Sequence, residues 1–150
     1  MSVTVSLKTI TLDQYKRNLD KINFVVGTFA AQVEGNAKQS IAMSSGKYKE
    51  YYGVVEHPHW SSPPGTPPNS DSGNLGNSIG HHPIGKGMYE ITAGKKGYTA
   101  TADAKYAVAL ELGWTSRGGN TVPPRPFMEP ALMKVKPAFL KAIGQVLRGK

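Results

Sequence analysis

Leu12-Asp13-Gln14-Tyr15-Lys16-Arg17-Asn18-Leu19-Asp20-Lys21-Ile22 opens the longest helical period in this chain, and its reading sets the fold class. Leu12, Tyr15, Leu19, Ile22, Val26, Phe29 and Val33 recur at alternating steps of three and four, with Asp13, Lys16, Arg17, Asp20 and Lys21 on the opposite side. That is the stripe an amphipathic helix needs to bury one face. Thr11 and Gln14 have capping-box spacing, the hydroxyl free to accept the N–H of Gln14 while the amide reaches back. Ala37 and Ile41 prolong the stripe and Gly46 can stop it, so the spacing predicts a helix over 12–43. At about 1.5 Å per residue such a helix would be roughly 48 Å long, whereas a compact domain of this size is only about 38 Å across. The helix must therefore bend, most easily near Gly27 or Gly35, or project and bury its stripe against another subunit.

Working outward, residues 57–78 read as a long loop, because five of the eleven prolines lie between His57 and Asn69 and a run of Ser, Asn, Asp and Gly follows. So long a structureless stretch in a small domain serves an interface or orders on binding, and it is expected to be mobile in the free protein. A strand is expected within Tyr48–Glu56. Met88–Ala93 and Tyr98–Asp103 read as a hairpin about Gly94-Lys95-Lys96-Gly97. Lys105–Leu112 reads as a short helix ending at Gly113. A final helix starts at Glu129 or Pro130 with Leu132, Val135, Phe139, Leu140, Ile143 and Leu147 as its apolar side, and Pro137 should kink it or mark a restart. The 150 residues suit one domain spanning 1–150. Its fold class is α+β: a long N-terminal helix and a C-terminal helix packed on a small, mostly antiparallel sheet, with a long Pro-rich loop at about 57–78.

The last third carries the most distinctive residues: Tyr106-Ala107, then Glu111-Leu112-Gly113-Trp114, then Pro123-Pro124-Arg125-Pro126-Phe127-Met128-Glu129-Pro130-Ala131-Leu132. No catalytic signature has that form. Pro126 and Pro130 fix the backbone on either side of Phe127 and Met128, which are presented from a stiff extended approach to a helix. Pro130 suits a first helical turn, and Phe127, with no polar reason to be exposed, is expected to anchor the core. Upstream stand Pro63-Pro64-Gly65-Thr66-Pro67-Pro68, Asp71-Ser72-Gly73-Asn74-Leu75 and Asn77-Ser78-Ile79.

In this order and at this separation, the segments resemble the tail-completion, or head-to-tail joining, minor tail proteins of long-tailed bacteriophages and prophages. The resemblance covers about residues 60–145. Its pattern is a Pro-Gly-x-Pro-Pro loop, an acidic-x-Gly-x-Leu-x-x-Ser-Ile turn, a Tyr-Ala-x-x-x-Glu-x-Gly stretch and a Pro-x-Pro-Phe-x-x-Pro-Ala-Leu helix start. The chain departs from it at Gly76, where such proteins often carry a basic residue, and at Trp114-Thr115, where a Thr usually follows the glycine at once.

The resemblance implies a non-enzymatic virion protein that forms a homo-oligomeric ring, hexameric in this reading, on the end of the tail tube and joins it to the head connector. Its implied partners are further copies of itself, the tail-tube protein and the head-completion or connector protein, with genomic DNA passing unread through the lumen. Its implied location is the head–tail interface of the virion, and the host cytoplasm during assembly. Tyr106, Glu111, Gly113, Trp114, Arg125, Pro126 and Phe127 then form the motif and candidate interface. Pro63, Pro64, Gly65, Pro67, Pro68, Gly73, Leu75, Ser78 and Ile79 form a docking loop. Trp and Arg are favoured interface anchors, so Glu111, Trp114 and Arg125 are expected to meet at a subunit contact, with Arg125 pairing a carboxylate such as Glu111. The simpler alternative is a short helix lying on the sheet.

Composition bounds this reading. Eighteen Lys and Arg against 10 Asp and Glu give a formal charge of +8, which favours nucleic acid, anionic surfaces or an acidic protein partner. The basic residues are scattered, whereas a dedicated nucleic-acid stripe clusters with aromatics; a basic nucleic-acid-binding module of a phage or prophage is the alternative function. There is no cysteine to form disulfides or thiolate ligands. No apolar run suits a bilayer and no leader pattern opens the chain, so neither membrane insertion nor secretion is expected. His57, His59, His81 and His82 supply imidazoles, but the prolines beside them break metal-binding helical geometry. Ser72 and Ser78 lack His and acid partners at recognisable spacing and the Gly-x-Ser-x-Gly turn is missing. The glycines at 73–76 and 85–87 do not open a phosphate loop. No enzyme activity, metal or cofactor is expected.

Overall fold

The computed structural model describes residues 12–51, 59–94, 104–115 and 117–148. In chain order these form α1 (Leu12–Met43), β1 (Lys49–Tyr51), β2 (His59–Ser61), α2 (Asn74–Asn77), β3 (Gly80–Gly85), β4 (Met88–Thr92), α3 (Ala107–Leu112), β5 (Trp114–Thr115), β6 (Thr121–Val122) and α4 (Met128–Leu147). The class is α+β, with the long N-terminal helix and the C-terminal helix as expected. The strands make three separate two-stranded antiparallel ribbons rather than one sheet: β1 with β2, β3 with β4, and β5 with β6.

The core forms where the second half of α1 meets α4 and the short elements between them. Val33, Ala37 and Ile41 of α1 bury with Leu75, Ile79, Ala104, Ala107, Phe127, Ala131 and Val135. Small residues at Ala37, Ala107 and Ala131 let the backbones approach, and Phe29 meets Phe139 edge to face with ring centroids 5.4 Å apart, the geometry aromatic quadrupoles favour. Lys134 Nζ donates to Asn36 Oδ1 at 3.1 Å across the same helix pair. The β3–β4 ribbon lies against α1, where the turn N–H of Gly87 donates to Asn23 Oδ1 at 3.1 Å. Gly27 allows this approach: a Cβ there would come within 2.7 Å of the Tyr89 hydroxyl. Gly27 is thus a close-contact position for β4.

Several expectations need correction. The stretch 57–78 is not structureless, since β2 and the helical turn α2 fall within its described part. Met88–Thr92 is a strand and pairs with Gly80–Gly85 in the register His81 to Ile91 and His82 to Glu90. That partner strand gave no sequence signal because Pro83 sits inside it and glycine ends it, both unfavourable strand markers; the bulge between Pro83 and Gly85 accommodates them. Tyr98–Asp103, the other expected arm, and the Thr11–Gln14 capping box lie outside the described residues. The buried side of α4 is Ala131, Val135 and Val146, while Leu132, Leu140 and Leu147 of the expected side are exposed. The helix continues through Pro137. No helix among the described residues is long and apolar enough to cross a membrane.

Candidate functional site

The distinctive segments, separated by dozens of residues in sequence, are tied into one substructure by backbone hydrogen bonds. Gly65 N donates to Pro124 O at 2.9 Å, and Arg125 N donates to Leu110 O at 2.6 Å. Ser78 Oγ donates to Leu75 O at 2.7 Å and accepts the N–H of Gly94 at 3.0 Å, and Gly94 O in turn accepts Ala104 N at 3.2 Å. Leu75, Ser78 and Ile79 are buried, so the acidic-x-Gly-x-Leu-x-x-Ser-Ile turn is a core piece. Gly73, at φ 76°, supplies the left-handed residue that opens α2.

Glu111 is the capping residue of α4, reached from another helix. Its Oε2 accepts the N–H groups of Phe127 at 2.8 Å and Met128 at 3.1 Å, and its Oε1 accepts that of Glu129 at 2.9 Å. A helix leaves its first four N–H groups without intrahelical acceptors. Here those positions are Phe127, Met128, Glu129 and Pro130; the carboxylate satisfies the first three, and Pro130 has no N–H to satisfy. The negative charge also lies at the positive end of the helix dipole. Phe127, 1% exposed, is carried into the core by this start, while Pro126 beside it is half-buried. Gly113, at φ 71° and ψ 170°, ends α3. A Cβ there would lie 2.8 Å from Val122 O and 3.0 Å from Pro124 N, so only glycine lets the β5–β6 ribbon fold back over the proline segment.

Arg125 is 3% exposed. Its Nε donates to Ser62 O at 2.9 Å and its Nη1 to Pro123 O at 3.3 Å. The expected pairing of Arg125 with Glu111 is therefore corrected: within the chain, Glu111 is committed to the α4 N-terminus and Arg125 to the carbonyls of Ser62 and Pro123. Trp114 remains half-exposed on β5. Of the Pro-rich segment, Pro68 is buried, Pro63 and Pro67 are half-buried, and Pro64 and Gly65 form the exposed tip.

Sequence reasoning missed the residues that hold this segment down. Asn69 Nδ2 donates to Gly46 O at 2.6 Å and Trp60 O at 2.8 Å. Ser44 Oγ lies 2.7 Å from Pro67 O and 2.8 Å from Asn69 Oδ1, its single hydrogen serving either. An Asn closing a Pro-Pro turn, where its amide can replace backbone partners, was the available signal.

Two concavities flank the substructure. A groove of about 720 Å³ runs between the end of α1, residues 60–62, the loop at 68–76, Tyr106 and Arg125. Burial of part of its ring, and then the Asp71 carboxylate, raise the Tyr106 phenol above its ordinary value. A second, apolar groove of about 350 Å³ lies between α1, β4 and α4, with Val26, Phe29, Ile91 and Phe139 in its walls and Leu132 and Leu140 among its lining. Elsewhere, Glu34 Oε2 meets His81 Nδ1 at 2.5 Å, Glu34 Oε1 meets Lys38 Nζ, and His82 Nε2 lies 2.9 Å from Glu90. Among the described residues no group of three or more His, Cys, Asp or Glu gathers as a metal set. Ser78 makes two structural hydrogen bonds, and Ser72 Oγ accepts Asn74 N at 3.4 Å.

Comparison of the chain with family models, with curated proteins and with solved structures finds no match.

Proposed function

We propose that this chain is a structural virion protein of a long-tailed phage or prophage, which forms a homo-oligomeric ring on the tail tube and completes the joint to the head connector. One observation carries the reading: the segments that resemble the tail-completion proteins, remote from each other in sequence, build a single substructure through Glu111, Arg125, Ser78 and the Gly65–Pro124 bond. Residues that share a pattern because they share a fold should meet in space, and these do.

The subunit contact in this proposal moves from Arg125 to the helices. Leu132, Met133 and Leu140 on α4 are exposed and line the apolar groove, and Leu12 and Tyr15 are exposed toward the start of α1. Apolar surface left open in this way marks interaction sites. A closed ring built from repeated copies would cover it at every junction, and its lumen would pass DNA without reading bases.

The test is genetic and structural. Removing the gene from the element should leave filled heads and finished tails that do not join, and the protein should be found in intact particles by mass spectrometry. Joined, infectious particles without the protein would reject the proposal. The charge of +8 favours a second reading, a basic nucleic-acid-binding module of the same element; it would require DNA affinity in the purified protein that falls steeply with salt.

A further inference from the structure

We infer that the groove between Trp60, Ser62, Tyr106 and Arg125 receives a carboxylate-bearing segment of an acidic protein partner. The inference goes beyond the assembly reading and stands without it, because it rests only on unmet chemistry in the groove. Arg125 is 3% exposed, yet it makes no ion pair among the described residues. Its guanidinium gives hydrogen bonds to two neutral carbonyls, Ser62 O and Pro123 O, and among the described residues its Nη2 end donates to no acceptor. A cation taken out of water without a counter-charge is costly. A carboxylate is the planar, bidentate acceptor that matches the free edge of a guanidinium.

The second observation is independent. Ser62 Oγ is the one fully closed-off side-chain polar atom without a hydrogen-bond partner among the described residues, and Ser62 borders the same groove. An unsatisfied buried hydroxyl is unfavourable, because it has lost its water partner and gained none. Ser62 already meets Arg125 through its carbonyl, so a small side-chain rotation on binding would bring this donor to a ligand oxygen on the Arg125 edge. The outer walls are aromatic: Trp60, 39% exposed with Lys47 Nζ 5.9 Å from its ring centroid, and Tyr106, 49% exposed. Such half-exposed rings suit the apolar stems of a peptide lying across the opening.

The remaining charges select the class of partner. Lys47 and Arg125 are opposed by Asp71 on the same groove. A nucleic-acid backbone presents phosphates in a row and needs an array of cations to meet them; one recessed guanidinium and one lysine, with Asp71 on the same groove, are not such an array. A peptide with a single Asp or Glu needs one cation rather than a row of them, and a protein carrying +8 attracts acidic partners over distance.

The test uses the full chain with Trp114→Phe, which leaves Trp60 as the only tryptophan because the sequence has 2. The probe is an N-acetylated, C-amidated hexapeptide of alternating Glu and Leu, compared with its Gln-for-Glu counterpart. Binding is read from Trp60 emission and from the Arg125 Nε–Hε resonance. The acidic peptide should move both saturably, with about tenfold weaker binding for the Gln peptide and for Arg125→Lys. Ser62→Ala should weaken binding severalfold without lowering the melting temperature, and it serves if Arg125→Lys does not fold. Equal binding of the neutral peptide would overturn the inference, as would an unmoved Arg125 resonance at millimolar acidic peptide. A response confined to inorganic phosphate or to a short DNA duplex would overturn the partner class.

Discussion

The two halves of α1 carry the same apolar period, but the chain closes only one of them. From Val33 to Ile41 the stripe is buried against Leu75, Ile79, Phe127 and Ala131, whereas Leu12 and Tyr15 are exposed and Leu19, Ile22 and Val26 are only half-buried. The difference lies in what stands opposite. The second half faces the substructure in which Glu111 starts α4 and Arg125 ties residues 62 and 125 together. The first half has the β3–β4 turn on one side and runs beyond the core on the other. An amphipathic period says which face is apolar; whether the same chain covers that face depends on where its other elements end. The motif thus builds the core, and the helix faces it leaves open are the surface that the proposed ring would use.

This comparison can be broken at either region. The largest expected effect is Arg125→Glu, which puts a carboxylate against the carbonyls of Ser62 and Pro123 in a closed site and should cost about 4 kcal/mol or more. Circular dichroism should show an unfolded or strongly destabilised chain; a folded variant with a wild-type melting temperature would place Arg125 outside the core. Phe127→Ala comes next, at about 3–5 kcal/mol for a fully buried ring, read by chemical denaturation. Glu111→Ala leaves the Phe127, Met128 and Glu129 N–H groups without their acceptor and should cost about 1–3 kcal/mol, with faster hydrogen exchange confined to the first turn of α4. A stability loss without that local change would mean that Glu111 acts by packing. The smallest effect on stability belongs to the open face: Leu132→Ser with Leu140→Ser should change it by no more than about 0.5 kcal/mol per site, yet should abolish assembly.

The sequence was informative where a pattern was long or backbone chemistry strict. The bounds of α1 and the Phe127 core position followed from the apolar period and from prolines on either side of an aromatic. The end of α3 followed from Gly113. The partners of Arg125 and Glu111 did not follow, since a basic and an acidic residue near each other in a motif invite pairing, and nothing local reveals that each instead satisfies backbone groups. Ser62 was illegible for the same reason, its role depending on walls supplied by distant segments, whereas Asn69 after Pro67-Pro68 offered only the general signal of an amide that can replace backbone partners. The exposed side of α4 was misread because Leu132 and Leu140 look like core residues on size alone, while the buried contact uses Ala131 and Val135 to bring α1 and α4 together.

The proposed function requires a closed ring on the tail tube, which negative-stain electron microscopy can show. The purified protein would be mixed with tail tubes isolated from the same element, alongside the Leu132→Ser, Leu140→Ser double variant. The account predicts a closed ring of density at one end of each tube with the wild-type chain, and bare tube ends with the folded double variant. Bare tubes with the wild-type chain, or rings that form equally well from the variant, would contradict it.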